Sequence, residues 1–171
     1  MSGGTRRRVA LGLGANLGDR VAALQGAVDR IAPLLADPAV SSVYETVPVG
    51  GPEQPDYANA VLVGEWSGGP LELLELAHGA EQEWCRTREI RWGPRTLDVD
   101  ILVVGELVSD DPILTLPHPR ARERAFVLVP WAEADPRATL PDGSRVVDLA
   151  AGLAPEDDVR RRDDLALVLP S

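Results

Sequence analysis

Lysine is absent from this chain of 171 residues, and all 17 basic side chains are arginine. That excludes a phosphate-binding loop of the GxxxxGK type, which needs its lysine. Cysteine occurs once, at Cys85, so no internal disulfide can form, and the residue reads as a small inert side chain rather than a nucleophile. No apolar run approaches the roughly 20 residues that cross a bilayer. Residues 1–14 set arginines before an apolar stretch, as a secretion signal does, but glycines interrupt it and a polar turn follows, which argues against one. Together these features predict a cytoplasmic protein with no membrane partner. Aromatics make up only 4% of residues, and acidic groups outnumber basic ones by 27 to 17, a net charge of −10. RNA-binding modules built on a half-open sheet show the opposite, basic sheets with exposed aromatics, so no nucleic-acid partner is expected.

What is present suits one globular domain over residues 1–153, followed by a tail, 154–171, that mixes charges and then turns apolar. The tail leaves three readings open: disorder, an edge strand or a contact surface. Val9, Leu11 and Leu13 alternate as a first strand. The turn at 14–19 offers Asn16 or Asp19 as a helix N-cap. Val21, Leu24, Val28, Ile31 and Leu35 follow at helical spacing, with Pro33 near the end. Asp37-Pro38 reads as a break, 40–46 as a second strand and 57–66 as a third. Pro70 opens a second helix whose stripe is Leu71, Leu74, Ala77, Glu81 and Trp84. A fourth strand spans 96–104, a hairpin-like return passes through Leu107-Val108, a short helix covers 120–124, and 126–134 is helical or mixed. Strand, helix, strand, strand, helix, strand is the order of a ferredoxin-like α+β sandwich, a mainly antiparallel sheet with its long helices on one face.

Residues 86–101, RTREIRWGPRTLDVDI, concentrate the chemistry. Arg86, Arg88, Arg91 and Arg95 surround Trp92 and a Gly93-Pro94 turn. Asp98 and Asp100 then sit two apart on a strand and so share a face, opposite Leu97, Val99, Ile101 and Val103. A carboxylate pair beside guanidinium groups suits a polyphosphate bridged by Mg²⁺, a hard cation that takes one or two protein carboxylates with water and phosphate oxygens. The same pattern is also the wet face of a half-covered sheet beside a solvated loop. Elsewhere, Gly12, Gly14 and Gly18 loosely imitate a dinucleotide-binding turn with Glu45 as its ribose acid. The spacing is wrong, and the glycines read as turn chemistry. His118, between two prolines and near Arg120, Arg122 and Arg124, has hydrogen-bonding and acid–base capacity for phosphate.

Five separate stretches, GLGANLGDR (12–20), YETVPVG (44–50), QPDYANAV (54–61), RWGPRTLDVDIL (91–102) and LTLPHPRARERAFVLVPWAEADP (114–136), resemble the family of 6-hydroxymethyl-7,8-dihydropterin pyrophosphokinases of folate biosynthesis. The resemblance implies a ferredoxin-like fold and transfer of pyrophosphate from ATP to the hydroxymethyl group of 6-hydroxymethyl-7,8-dihydropterin, releasing AMP. It implies that Asp98 and Asp100 hold two Mg²⁺ ions, that Arg86, Arg88, Arg91 and Arg95 bind and close over the phosphates, and that Trp92 helps to seal the site. It gives His118 and Arg124 phosphate contacts, and sets Glu81, Ile101 and Thr115 at nucleotide positions. For the pterin it implies stacking by Tyr57 and Phe126, and a hydrogen-bonding edge from Asn59 with Thr46, Pro48 and Val49. Cys85 after Trp84, where members often have glycine, and Pro119, where some have an aromatic, depart from the pattern. A monomer is expected. The rival readings are a non-catalytic pterin- or nucleotide-binding module on the same fold, and another nucleotide-dependent transferase using the same metal pair, which release of ADP rather than AMP would reveal.

Overall fold

The structure, a computed structural model, describes residues 5–16, 19–46, 57–88, 97–153 and 159–170, with the side chains of 85–88 outside that set. β1 (Arg7–Ala15) lies inside the sheet, paired antiparallel with β4 (Tyr57–Trp66) on one side and β5 (Asp98–Val104) on the other. Its alternation explains the position. Val9, Leu11 and Leu13 are buried under the helices, and Ala10 is buried on the opposite face. A strand apolar on both faces belongs between neighbours, not at an edge.

α1 (Arg20–Ile31) follows, capped by the Asp19 carboxylate, which accepts from the Ala22 N–H at 3.0 Å. It ends where Pro33 enters a 3₁₀ turn, Ala32–Leu34. The second strand is longer and more broken than expected. β2 (Ala36–Val40) already includes Asp37-Pro38, taken up as a bulge with Asp37 at φ 47°, and β3 (Val43–Thr46) resumes after Ser41-Ser42. Both pair with β4. The Ser41 hydroxyl bridges the gap by accepting from Val61 N–H at 2.9 Å. Proline is tolerated here because a bulge needs no ladder donor.

α2 (Pro70–Arg88) begins with one half of a capping box, the Glu72 carboxylate accepting from Gly69 N–H at 2.7 Å. Its fully buried positions are Leu73, Ala77 and Ala80; of the expected stripe Ala77 is buried and Leu74 and Trp84 pack against the core, whereas Leu71 is 58% exposed. The leucine-rich start LELLEL allows either phase, and contact with α1 and β5 decides it. After β5 the chain turns at Gly105-Glu106, and the expected return through Leu107-Val108 is not itself strand. The pairing comes later, between β6 (Ser109–Asp111) and β7 (Leu114–Leu116). A 3₁₀ turn at Ala121–Glu123 leads to α3 (Ala125–Ala134) and α4 (Val146–Ala151).

The sheet order β5-β1-β4-β3, with β2 also on β4, is the ferredoxin-like arrangement. α1 and α2 cover one face. α3 and α4 cover part of the other through a second core of Ala10, Val61, Val63, Leu102, Leu128 and Trp131. One parity expectation fails. Leu97, Val99 and Ile101 face α1 and α2, but Val103 belongs to the α3 core with Leu102. The reason is a β-bulge: Ala10 pairs Val103 while Leu11 pairs Ile101, leaving Leu102 extra and inverting the alternation beyond it.

The tail takes the edge-strand form. β8 (Arg160–Arg162) pairs antiparallel with β3. Buried Glu45 meets Arg162 at 2.7 Å, Arg20 at 2.6 Å and Arg160 at 3.8 Å, so the acid that resembled a ribose ligand joins the tail to α1 instead. Burial raises the Glu45 pKa, but hydrogen bonds from Arg162 and Arg20 outweigh it, and the net shift is downward. A lowered native pKa means stabilisation that is present at neutral pH and lost as pH falls through that native value. Glu45→Gln is therefore expected to cost about 1–2 kcal/mol at pH 7, after allowing for half-exposed arginines. The gap in melting temperature between the two proteins should close below about pH 4. A gap constant from pH 7 to 3 overturns the assignment.

Candidate active site

The face of the sheet away from α1 and α2 is left partly open beside α3, and a cavity of about 490 Å³ lies there. Three strands build its floor. In register across them stand Asn59 on β4, Gly14 on β1 and Asp98 on β5. One pair along, Gly12 lies beside Asp100. With strands about 4.8 Å apart, Asn59 and Asp98 flank a side-chain-free channel roughly 10 Å wide. Gly12 and Gly14 are therefore not turn residues: both lie within β1, and their missing side chains make the space. A Cβ on Gly14 would stand 3.4 Å from the Asn59 amide oxygen. The signal was available in the sequence as the period-two series Ala10, Gly12, Gly14, continuing the strand on its other face.

On one flank, Asn59 and Thr46 are both buried, and the Asn59 amide donates to the Thr46 hydroxyl at 3.0 Å. This leaves the amide a second N–H and its oxygen for a ligand. Tyr57 pairs with Thr46 and lines the same cavity. Phe126, on the first turn of α3, closes it from above, with the Arg124 guanidinium 5.5 Å from the ring centroid.

On the other flank, Asp98 and Asp100 are exposed into the cavity, and Val99 between them is buried beneath the strand. His118 joins them because its backbone N–H donates to the Leu102 carbonyl at 2.9 Å, the residue inserted by the bulge. Its Nδ1 accepts from Arg120 N–H at 3.2 Å, so the neutral ring carries its proton on Nε2 and acts there as a donor. Burial lowers the His118 pKa; Asp100 opposes the shift, and Arg124 and Arg120 add to it.

Eight residues singled out in the sequence thus meet at one cavity: Thr46, Tyr57, Asn59, Asp98, Asp100, His118, Arg124 and Phe126. Three stand away from its lining. Ile101 is buried on the α1–α2 side, because β-strand parity turns it opposite to Asp100. Glu81 accepts from Val99 N–H at 2.8 Å along the outer edge of β5. Thr115 donates to the Asp111 carbonyl at 3.0 Å within the β6–β7 pair. Pro48, Val49, Arg91, Trp92 and Arg95 lie outside the described residues. Arg86 and Arg88 fall on the last turns of α2, with side chains outside them. Lining residues that the sequence reading missed include Gly12 and Gly14 on the floor, Leu102 on β5, Glu123 and Val127 around α3, and Val159 from the tail.

Two hard oxygen donors on one rigid face fit Mg²⁺, which leaves most of its sphere to water and substrate oxygens. Among the described residues no cluster of three or more His, Cys, Asp or Glu side chains forms a complete metal cage. No helix among the described residues is long and apolar enough to cross a membrane.

Comparison with known proteins places the chain among enzymes. A family model described as 7,8-dihydro-6-hydroxymethylpterin-pyrophosphokinase matches residues 10–136. The 2-amino-4-hydroxy-6-hydroxymethyldihydropteridine pyrophosphokinase of Pseudomonas aeruginosa is 41% identical over 85% of this chain and 91% of its own. The enzyme of the same name from Mycobacterium tuberculosis is 41% identical over 96% and 91%, and that of Bacillus subtilis 46% identical over 72% and 75%. Among solved structures, Plasmodium falciparum HPPK-DHPS superposes with a TM-score of 0.72 at 13% identity, over 92% of this chain. This chain spans 49% of that longer one, and the likeness speaks for the fold alone.

Proposed function

The chain belongs to the 7,8-dihydro-6-hydroxymethylpterin-pyrophosphokinase family, and from that premise we propose how its own residues carry out the transfer. It is an ATP-dependent pyrophosphokinase of folate biosynthesis, and its substrates are ATP and 6-hydroxymethyl-7,8-dihydropterin. The observation that carries the residue assignment is the glycine-floored channel between an amide wall and a carboxylate wall. A flat heterocycle with several donors and acceptors fits between Tyr57 and Phe126, with its polar edge at Asn59. Its hydroxymethyl group then points across Gly14 toward Asp98 and Asp100.

Asp98 and Asp100 would hold two Mg²⁺ ions, which when bound neutralise phosphate charge and lower the pKa of the attacking hydroxyl. The hydroxymethyl oxygen attacks the β-phosphorus of ATP. The bond from that phosphorus to the α–β bridging oxygen breaks, AMP leaves, and the hydroxyl proton is lost to solvent. His118, a donor at Nε2, and Arg124 neutralise charge on the transferring phosphates; the histidine is not the base in this scheme. Arg86, Arg88, Arg91, Arg95 and Trp92 are proposed to close over the triphosphate and keep water out. Glu81, Ile101 and Thr115 would meet the nucleotide outside the cavity; Ile101, whose side chain is buried, could do so only through its backbone. The protein is proposed to work in the cytoplasm as a monomer, away from membranes.

The test is product analysis with ATP, Mg²⁺ and 6-hydroxymethyl-7,8-dihydropterin. AMP is expected in step with pterin diphosphate, and only with the metal. Pterin binding without AMP would favour the binding-module alternative instead, and ADP would mean another transferase.

A further inference from the structure

We infer that the C-terminal strand forms one end wall of the substrate cavity, and that Val159 limits which pterins enter it; this rests on the pterin reading of the site above. β8 pairs with β3 in the register Val43 with Arg162, Tyr44 with Arg161 and Glu45 with Arg160. One step further along that register brings Val159 opposite Thr46. Thr46 faces the cavity, since it accepts the Asn59 amide there, and partners across an antiparallel ladder share a face. Val159 accordingly lines the cavity. The tail therefore adds a fifth strand to the row that runs from the aspartates on β5 through Gly14 and Asn59.

The wall is firmly mounted. Arg162 donates to Glu45 at 2.7 Å and grips Asp164 with two bonds at 2.8 and 2.5 Å. Beyond it, Leu165, Leu167 and Leu169 pack on the core beneath α1 and α2. The Gln25 side chain on α1 holds Val168 from both sides, donating to its carbonyl at 2.7 Å and accepting from its N–H at 2.9 Å. Val159 stands immediately before this anchored strand, next to the Arg160 that pairs with Glu45.

Position decides what it bounds. The reacting hydroxymethyl lies at the aspartate end, so the β8 end meets the edge of the ring remote from it, where a pterin carries its 2-amino group. Valine there would crowd a larger substituent on that nitrogen, while Asn59 and Thr46 are placed to meet the amino group itself.

Val159→Trp and Val159→Ala test this with the natural pterin and its 2-methylamino analogue. Val159→Trp should raise the KM for the pterin at least tenfold and leave the KM for ATP within about twofold. Val159→Ala should relax discrimination against the analogue by about tenfold, the lower end of what one methylene commands in a shaped pocket. A melting temperature near the parent's shows that each variant is folded, and Val159→Ala stands if the tryptophan variant is not. Pterin KM and selectivity within twofold of the parent in Val159→Ala, and in Val159→Trp where it folds, overturn the inference. A parent that makes no AMP is a failure of the functional reading instead. Fluorescence titration of both pterins against the parent and Val159→Ala then still decides whether Val159 bounds the cavity.

Discussion

Asp98→Ala and Asp100→Ala are each expected to lower kcat by about a thousandfold or more, since each would remove a ligand of the cation proposed to neutralise charge at the reacting phosphates. The melting temperature should stay within about 2 °C of the parent or rise, because both carboxylates are exposed and carry like charge on one face of β5. That dissociation of activity from stability separates a metal-holding pair from two aspartates that merely keep a sheet face wet. Asp110→Ala supplies the control, an exposed acid on β6 outside the cavity, and should leave both quantities unchanged. Turnover within tenfold of the parent in either cavity variant, measured at saturating Mg²⁺, ends the assignment.

Trp131→Ala is the largest expected loss of stability, about 3–5 kcal/mol, the usual cost of emptying a buried tryptophan site. Trp131 is 1% exposed and sits in the core between α3 and the site face of the sheet. That core has few large side chains, and most of its other members are alanine, valine or leucine, so little nearby can move into the space. The consequence reaches the site because α3 presents Phe126 on its first turn and Arg124 as its N-cap. A loosened helix should therefore raise the KM for the pterin as well as lower the denaturation midpoint. A loss under about 1 kcal/mol by urea titration would mean that α3 is not held by this core.

Much of this was readable from residue order, for stated reasons. α1 follows a strong helical periodicity that its burial matches, and β4 is an apolar run between turn residues, buried almost throughout. The carboxylate pair was legible because strand parity is simple up to Ile101. The same rule failed at Val103, since a single inserted residue inverts parity and leaves no compositional trace. The glycines of β1 were misread because glycine in a strand resembles glycine in a turn until the neighbouring strands are known. The tail was undecidable alone: three consecutive arginines do not look like a strand. Their partner, Glu45, lies more than a hundred residues earlier.

The bulge at Leu102 has a consequence for motion. By turning one extra carbonyl outward it fastens His118, a loop residue between two prolines, to the strand that carries Asp98 and Asp100. Acid pair and imidazole are thus cargo on a single rail. Thermal displacement of β5 carries all three together, and their mutual spacing depends on covalent geometry and one hydrogen bond rather than on the hinge behaviour of the surrounding loops.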